Sequence, residues 1–383
     1  MTDYVSVLRE RDIEQGDRGL VTEGFAFGDW LALDGLDETA MVGATDKGFI
    51  MSVYYYNSVN LTAKAADELG RPERRELFLL AGRIRNAILN EYFSPAGRLA
   101  LDAQTAYVLS LYYGIYRIKE PVVAAFEKRL QRDGYKLTTG FVGTPLLLPA
   151  LFDAGLTTDA YRILLNREYP GWLYEVGLGA TTVWERWNSL LPNGKVSETG
   201  MNSFNHYAYG SVCEAVYTRI AGLRLGEAGW KSAVIEPCPH RLMLSAEIEY
   251  IAPTGKWKVK WNLDIEKEKL FINTVVPAGC TARINIFGKT VSEVSDGEYS
   301  FEVPVPADIS FPFSCDTPNI HIMAFEPTKS LLKKYLYPIY AACEKGSRAF
   351  LLETVRSCAI AFGIGETDEN FSEYENKIRR IKA

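Results

Sequence analysis

The chain has 383 residues, of which 47% are hydrophobic, and a formal net charge of −6 at pH 7. This size and composition are typical of a globular protein with room for two domains, and the acidic balance without basic runs argues against a nucleic-acid partner. No apolar run reaches the roughly 18 residues that a membrane-spanning helix needs, so the sequence predicts no membrane segment.

The N-terminus and the cysteines point to an intracellular protein. The chain begins with the polar stretch Met1-Thr2-Asp3-Tyr4, which lacks the basic and apolar segments of a secretory signal. The six cysteines and three histidines show no metal-ligand spacing. We therefore predict a cytoplasmic location, reduced cysteines in the core, no metal site and no cofactor.

The first two-thirds of the chain predicts helices that follow one another in pairs. Asp46 is the predicted N-cap of a helix that ends at Leu69, where Gly70 follows. Further helices are predicted from Pro72 onward and over 102–117, 121–132, 143–153, 157–167 and 203–223. Because the connections are short, consecutive helices are expected to be antiparallel neighbours.

After Trp230 the hydrophobic period changes to two. Apolar and polar residues alternate from Trp257 to Ile265 and again from Tyr299 to Val303, a pattern typical of strands with one buried face. We predict an antiparallel two-sheet unit over about 232–326. Helical spacing returns from Pro327, so a helical tail is expected to follow.

Glu185 lies between Trp184 and Trp187, within the segment 180–188. A carboxylate between indoles loses water on at least one side, and Arg186 can balance its charge. Flat rings beside a positioned carboxylate suit a sugar, which has apolar faces and a polar rim. The alternative is a tryptophan-rich core helix that carries a solvated Glu185–Arg186 pair. The segment alone leaves both interpretations open.

Three blocks of the chain resemble the bacterial α-L-rhamnosidases, family 78 of the glycoside hydrolases. They are Gly28-Asp29-Trp30-Leu31, then Leu137-Thr138-Thr139-Gly140-Phe141-Val142-Gly143-Thr144, and a third block from Tyr169-Pro170-Gly171-Trp172-Leu173-Tyr174 through Thr181-Thr182-Val183-Trp184-Glu185-Arg186-Trp187 to Asn205-His206-Tyr207-Ala208. The likeness covers roughly 22–325. It implies an α+β multidomain chain with an incomplete (α/α)6 six-hairpin barrel over 1–229, an antiparallel β-sandwich over 230–326 and a helical tail over 327–383.

The resemblance also implies roles for single residues. Enzymes of this family invert the anomeric centre with one carboxylic acid and one carboxylate. Glu185 matches the general base, and His206 matches the histidine that contacts the sugar near that base. Trp30 matches a ring of the sugar pocket, where the methyl group of a 6-deoxy sugar meets an apolar wall. Asp29 beside it is expected to be a hydroxyl acceptor or a structural cap.

Two further tryptophans complete the predicted substrate-binding set. Trp184 is expected to act, together with Trp187, mainly as a packing residue that fixes Glu185. Trp172 either borders the leaving-group side of the sugar or staples a loop after Pro170.

One part of the family pattern has no counterpart here. The family's general acid belongs to an Asp-x-x-x-Arg-x-Glu-Arg pattern ahead of the Gly-Asp-Trp block, and the residues before Gly28 do not contain it. We expect the acid to come from outside this chain, with Glu23 and Asp34 as the nearest acidic alternatives. An open arc of helices needs a partner for its apolar ends. That partner is expected to be a second copy, a separate N-terminal half, or the helices of 329–382 folded back.

Three functions remain open at this stage. The first is an inverting α-L-rhamnosidase-like hydrolase that acts on a rhamnose-containing oligosaccharide or glycoside. The second is a non-catalytic carbohydrate-binding or interaction subunit that lacks the acid. The third is a six-hairpin glycosidase whose sugar is not rhamnose.

Overall fold

The structure of the chain is a computed structural model that describes residues 1–36, 40–240, 242–264, 267–306, 313–315, 317 and 319–381. Two compact units make up the chain, Met1–Ala215 and Val216–Ala383.

The first unit is helical. Its helices α1 to α9 cover Thr2–Glu14, Lys47–Glu68, Arg74–Tyr92, Gln104–Tyr112, Lys119–Arg132, Thr144–Asp153, Thr157–Leu164, Trp172–Gly177 and Val212–Ala215. The pairs α2/α3, α4/α5 and α6/α7 are in contact, as the short connections predicted.

Local sequence explains where these helices begin and which faces they bury. The Asp46 side chain accepts the N–H of Phe49 over 2.7 Å, so the predicted N-cap of α2 is confirmed. Gly70 follows the helix with φ of 62°, a conformation that suits glycine at a helix end. In α5, Val122, Phe126 and Leu130 recur every fourth residue, and all three are buried.

The helix expected over 203–223 is wrong. Residues 203–206 lie alongside 183–185 instead, through backbone hydrogen bonds. Only short helical pieces follow, namely a 3-10 turn at Ala208–Ser211, then α9, then a π-helical turn at Val216–Ile220. The segment 180–188 is not helical either, so the interpretation of it as a core helix is also wrong.

After the π-helical turn at Val216–Ile220, the second unit contains two four-stranded sheets. Strands β1 to β8 cover Leu223–Leu225, Ser232–Ile235, Ser245–Ala252, Gly255–Asp264, Lys269–Val276, Thr281–Ile286, Lys289–Val294 and Gly297–Pro304. The sheet orders are β1-β2-β6-β7 and β3-β4-β5-β8. All pairs are antiparallel except β2 with β6, which is parallel; the long connection between these two strands permits the crossover that parallel pairing needs.

The alternation expected in β4 is confirmed. Trp257, Val259, Trp261 and Leu263 are buried, while Ile265 lies outside the described residues. β1 begins at Leu223, ahead of the region where strands were expected. The domain limits 1–229, 230–326 and 327–383 stay predictions.

Helices α10 to α15 form the tail and cover Asn319–Ala324, Glu326–Tyr335, Tyr337–Glu344, Arg348–Leu352, Val355–Ala361 and Glu369–Ile378. They share a core that includes Leu332, Ile339, Val355 and Phe371. The cysteines form no disulfides, and four of them are buried, whereas Cys213 is exposed and Cys238 is half-buried. Over the described residues, every helix is too short or too polar to traverse a lipid bilayer.

Candidate functional site

Glu185 and His206 are brought together by two stretches of backbone. The Glu185 N–H donates to the Ser203 carbonyl over 2.9 Å, and the His206 N–H donates to the Val183 carbonyl over 2.8 Å. The Ser203 N–H in turn donates to Oε2 of the Glu185 carboxylate over 3.1 Å. This pairing fixes one oxygen of Glu185 and holds His206 beside the other.

The two side chains face each other across a short gap. Nε2 of His206 lies 4.0 Å from Oε1 of Glu185, and the side chains are 22% and 14% exposed. Nδ1 of His206 accepts the N–H of Ala208 over 3.3 Å. In a neutral imidazole that accepts at Nδ1, the proton resides on Nε2, so the donor nitrogen is the one that faces Glu185.

Phe141 connects this pair to Trp30. The Phe141 ring stacks on His206 with a centroid separation of 5.0 Å and an interplanar angle of 27°. Its N–H donates to the Trp30 carbonyl over 2.9 Å. The Trp30 ring is half-buried and contacts Phe27 edge to face at 5.7 Å. The three sequence blocks of the resemblance therefore meet in one place.

Asp29 joins the first two blocks from within the core. It is fully buried and accepts the N–H groups of Gly140 and Val142, both at 2.8 Å, and of Gly143 at 3.3 Å. The Thr105 hydroxyl also donates to it. Burial raises the pKa of Asp29, and these four donors oppose that rise. Of the two roles considered for Asp29, the contacts favour the structural cap over a hydroxyl acceptor.

Gly140 explains how the two blocks can approach so closely. A Cβ atom at this position would lie 2.2 Å from the Trp30 carbonyl oxygen and 2.6 Å from the Ala32 nitrogen. Both are backbone atoms, so only glycine allows this contact.

Arg186 does not pair with Glu185. Its guanidinium Nη1 lies 3.7 Å from the sulfur of Met41, and among the described residues no ion pair joins Glu185 to Arg186. The interpretation of Glu185 as half of a solvated Glu–Arg pair is therefore wrong for this structure.

The three tryptophans of this region are buried. Trp187 stacks on Tyr209 at 4.1 Å and 11°, and Trp172 meets Trp187 edge to face at 5.2 Å. The indole N–H of Trp172 donates to the Tyr209 carbonyl over 2.9 Å. Trp184 contacts Phe204 edge to face at 5.4 Å. These contacts support the expected packing roles of Trp184 and Trp187. They also favour the role in which Trp172 fixes the loop after Pro170. Sugar contact by Trp184 or Trp172 stays a prediction.

The sequence did not single out Glu175, a buried acid behind this site. It belongs to α8, and its Oε2 accepts the Trp184 N–H over 3.4 Å. Burial raises the pKa of Glu175 to about 8. The available signal was a lone carboxylate within the aromatic and apolar run of α8.

The two alternative acids lie in other surroundings. Asp34 accepts the Ala44 N–H over 3.0 Å, and burial raises its pKa. Glu23 is exposed. Within the part of the chain that the structure describes, neither forms a hydrogen bond or ion pair with Glu185 or His206. In the same part of the chain, no three His, Cys, Asp or Glu side chains lie together in a way that could hold a metal ion.

Family models match most of the chain. Residues 1–220 match the bacterial α-L-rhamnosidase six-hairpin glycosidase domain, and residues 222–306 match the bacterial α-L-rhamnosidase C-terminal domain.

Curated relatives include two α-L-rhamnosidases. The protein from Streptomyces avermitilis is 36% identical over 277 residues, which are 72% of this chain and 26% of the relative. The protein from Formosa agariphila is 36% identical over 248 residues, which are 64% of this chain and 27% of the relative. The chain thus spans about a quarter of the length of these relatives.

Solved structures agree with the sequence comparison. The Streptomyces avermitilis α-L-rhamnosidase complexed with L-rhamnose has a TM-score of 0.70 and 33% identity, and the match covers 77% of this chain and 30% of that one. The Aspergillus terreus α-L-rhamnosidase has a TM-score of 0.68 and 29% identity, with coverage of 73% and 33%. On the match of both family models, the chain belongs to the bacterial α-L-rhamnosidase family.

Proposed function

We propose that this chain supplies the general-base side of an inverting α-L-rhamnosidase, with Glu185 as the base, and acts on terminal α-L-rhamnosides of an oligosaccharide or glycoside. The observations that carry the proposal are the facing of Glu185 and His206 and the contact of Phe141 with both His206 and the Trp30 backbone. A partly exposed carboxylate lies 4.0 Å from an imidazole, and Phe141 connects that imidazole to Trp30. Membership of the family supports the choice of sugar.

In this proposal the two oxygens of Glu185 have different tasks. Oε2 is held by the Ser203 N–H, so Oε1 is the oxygen left to accept a proton from water. The deprotonated water attacks the anomeric carbon on the face opposite the leaving group, and the glycosidic C–O bond breaks with its electron pair on the leaving oxygen. The stereochemistry inverts in this single displacement.

His206 and Trp30 position the sugar in this scheme. His206 directs Nε2–H toward Oε1 of Glu185, where it can donate to a sugar hydroxyl that lies beside the base. The half-buried ring of Trp30 offers the apolar surface for the 6-methyl group of rhamnose.

In this scheme a second carboxyl group, outside the residues described at this site, protonates the leaving oxygen. Two carboxyl groups near this site, Asp29 and Glu175, are buried and do not serve an exposed sugar. An inverting pair needs about 6.5–9.5 Å between its carboxyl groups to admit the water.

Two measurements test this function. Isothermal titration calorimetry with L-rhamnose tests the sugar site, and proton NMR of the first product anomer released from p-nitrophenyl α-L-rhamnoside tests inversion. The proposal predicts binding of L-rhamnose and release of the β-anomer. Faster hydrolysis of another aryl glycoside, or release of the α-anomer, contradicts it.

The second candidate is a non-catalytic carbohydrate-binding subunit. It is favoured by the same observation that Asp29 and Glu175 are buried. Binding of L-rhamnose without turnover of p-nitrophenyl α-L-rhamnoside supports this candidate over the first. The cytoplasmic location stays a prediction.

A further inference from the structure

The segment that carries Glu185 has hydrogen-bond partners on two sides. Val183 and Glu185 bond to the backbone of His206 and Ser203 over 2.8 and 2.9 Å. The N–H of Trp184, between these two residues, does not bond to the stretch 203–206. It donates instead to Oε2 of Glu175 over 3.4 Å, which provides the partner that a buried N–H requires.

Glutamate is uncommon at a fully buried position such as 175. Its side chain belongs to a residue that is 3% exposed, and among the described residues its Oε1 has no hydrogen-bond partner. Buried carboxylates normally have a cation or several donors nearby, and in the described part of the chain Glu175 forms no ion pair. Burial raises the pKa of Glu175 to about 8, so at pH 7 the group is mostly an uncharged acid.

Tyr209 is a titratable side chain whose pKa depends in part on the charge of Glu175. Burial raises the pKa of Tyr209 well above its usual value, and charges on Asp29 and Glu175 add to that rise. The ring of Tyr209 is stacked on Trp187, and its hydroxyl also lacks a partner among the described residues. The surroundings of Glu175 therefore favour a neutral group over a charged one.

We propose that Glu175 is a positioning residue for Glu185, and that its carboxyl group receives the Trp184 N–H and fixes the backbone from which the Glu185 carboxylate reaches the sugar. This role rests on the proposed function of Glu185. An apolar side chain of similar size fills the same space but offers the Trp184 N–H no acceptor. The stretch 183–185 then keeps only its pairing with 203–206.

Amide hydrogen exchange tests the anchor without any need for sugar or turnover. Glu175→Gln keeps an acceptor without a charge, Glu175→Leu removes the acceptor, and Glu198→Leu removes an exposed carboxylate as a control. We expect the Trp184 and Glu185 amides of Glu175→Leu to exchange about ten-fold faster or more. In Glu175→Gln and Glu198→Leu they should exchange at rates close to those of the unaltered chain. Equal protection of the Trp184 amide in Glu175→Leu and the unaltered chain overturns the proposal.

The pH profile of rhamnoside turnover separates positioning from simple packing. Ionisation of Glu175 near pH 8 strengthens its acceptor for Trp184 but leaves a buried charge whose Oε1 has no donor among the described residues. We expect this unsatisfied charge to disturb the site, so the rate of the unaltered chain should fall above that pH. Glu175→Gln should hold its rate to higher pH and restore turnover relative to Glu175→Leu by about ten-fold or more. An identical alkaline fall in the unaltered chain and Glu175→Gln contradicts the proposal. If no variant turns over rhamnoside, the proposed function fails, and the exchange rates still decide whether Glu175 anchors the segment.

Discussion

Nε2 of His206 lies 4.0 Å from Oε1 of Glu185, because residues 183–185 and 203–206 are paired along their backbones. The distance is longer than a direct hydrogen bond. A sugar hydroxyl that lies against both groups can accept from the imidazole and face the carboxylate, which is the relation expected between a sugar-binding donor and a general base.

His206→Ala should therefore weaken the binding of L-rhamnose. Loss of one hydrogen bond to the sugar costs about 0.5–1.5 kcal/mol of binding free energy. The substitution also removes the ring on which Phe141 stacks, which should weaken binding further. Isothermal titration calorimetry measures the change. Tyr207→Phe is the matched control, because Tyr207 stacks on His206 at 5.1 Å and the substitution removes only a hydroxyl. Equal affinities for His206→Ala and Tyr207→Phe contradict the assignment.

Gly140→Ala should disrupt the junction of the first two blocks. Its Cβ would lie 2.2 Å from the Trp30 carbonyl oxygen, and the resulting overpacking costs about 1–3 kcal/mol. Urea unfolding measures the loss of stability, and calorimetry should show weaker binding of L-rhamnose because Trp30 moves.

The control for this change lies in α3. A Cβ on Gly82 meets nothing within 4 Å, and a helical Gly→Ala change of this kind stabilises by about 0.4–1 kcal/mol. We expect Gly82→Ala to raise the free energy of unfolding and to leave sugar binding unchanged. A Gly140→Ala variant as stable as Gly82→Ala would show that the two blocks are not in close contact.

Stability should depend on pH through Glu175. Its pKa in the folded chain, about 8, lies above the ordinary value of 4.5, so the folded state binds this proton more tightly than the unfolded state. The contribution is complete below pH 4.5 and is lost as pH rises through 8. The free energy of unfolding of the unaltered chain should therefore fall relative to that of Glu175→Gln between about pH 5 and pH 9. Urea unfolding measures both free energies at each pH. A difference between the two proteins that stays constant across this range contradicts the prediction.

Features that depend on local sequence were predicted well. The cap at Asp46, the stripe of α5 and the alternation in β4 each arise from neighbouring residues. α1 was not predicted because Val5 and Leu8 are its only buried apolar residues, too few to form an apolar stripe that the sequence pattern reveals.

Features that depend on distant contacts were not predicted from local patterns. The helix expected over 203–223 is replaced by backbone pairing with 183–185, which no helical period reveals. The importance of Glu175 comes from its burial and from its bond to Trp184, and neither is visible in spacing. The juxtaposition of Glu185 and His206 was expected only through the family resemblance.

The most direct test of the assignment of Glu185 is the rate of p-nitrophenyl α-L-rhamnoside hydrolysis by the Glu185→Gln variant. Glutamine keeps the acceptor for the Ser203 N–H but cannot take a proton from water. We predict a rate lower by about 10²–10⁴-fold, with the affinity for L-rhamnose changed little and with Glu198→Gln at the unaltered rate. A Glu185→Gln variant that hydrolyses the rhamnoside as fast as Glu198→Gln would contradict the assignment of Glu185 as the base.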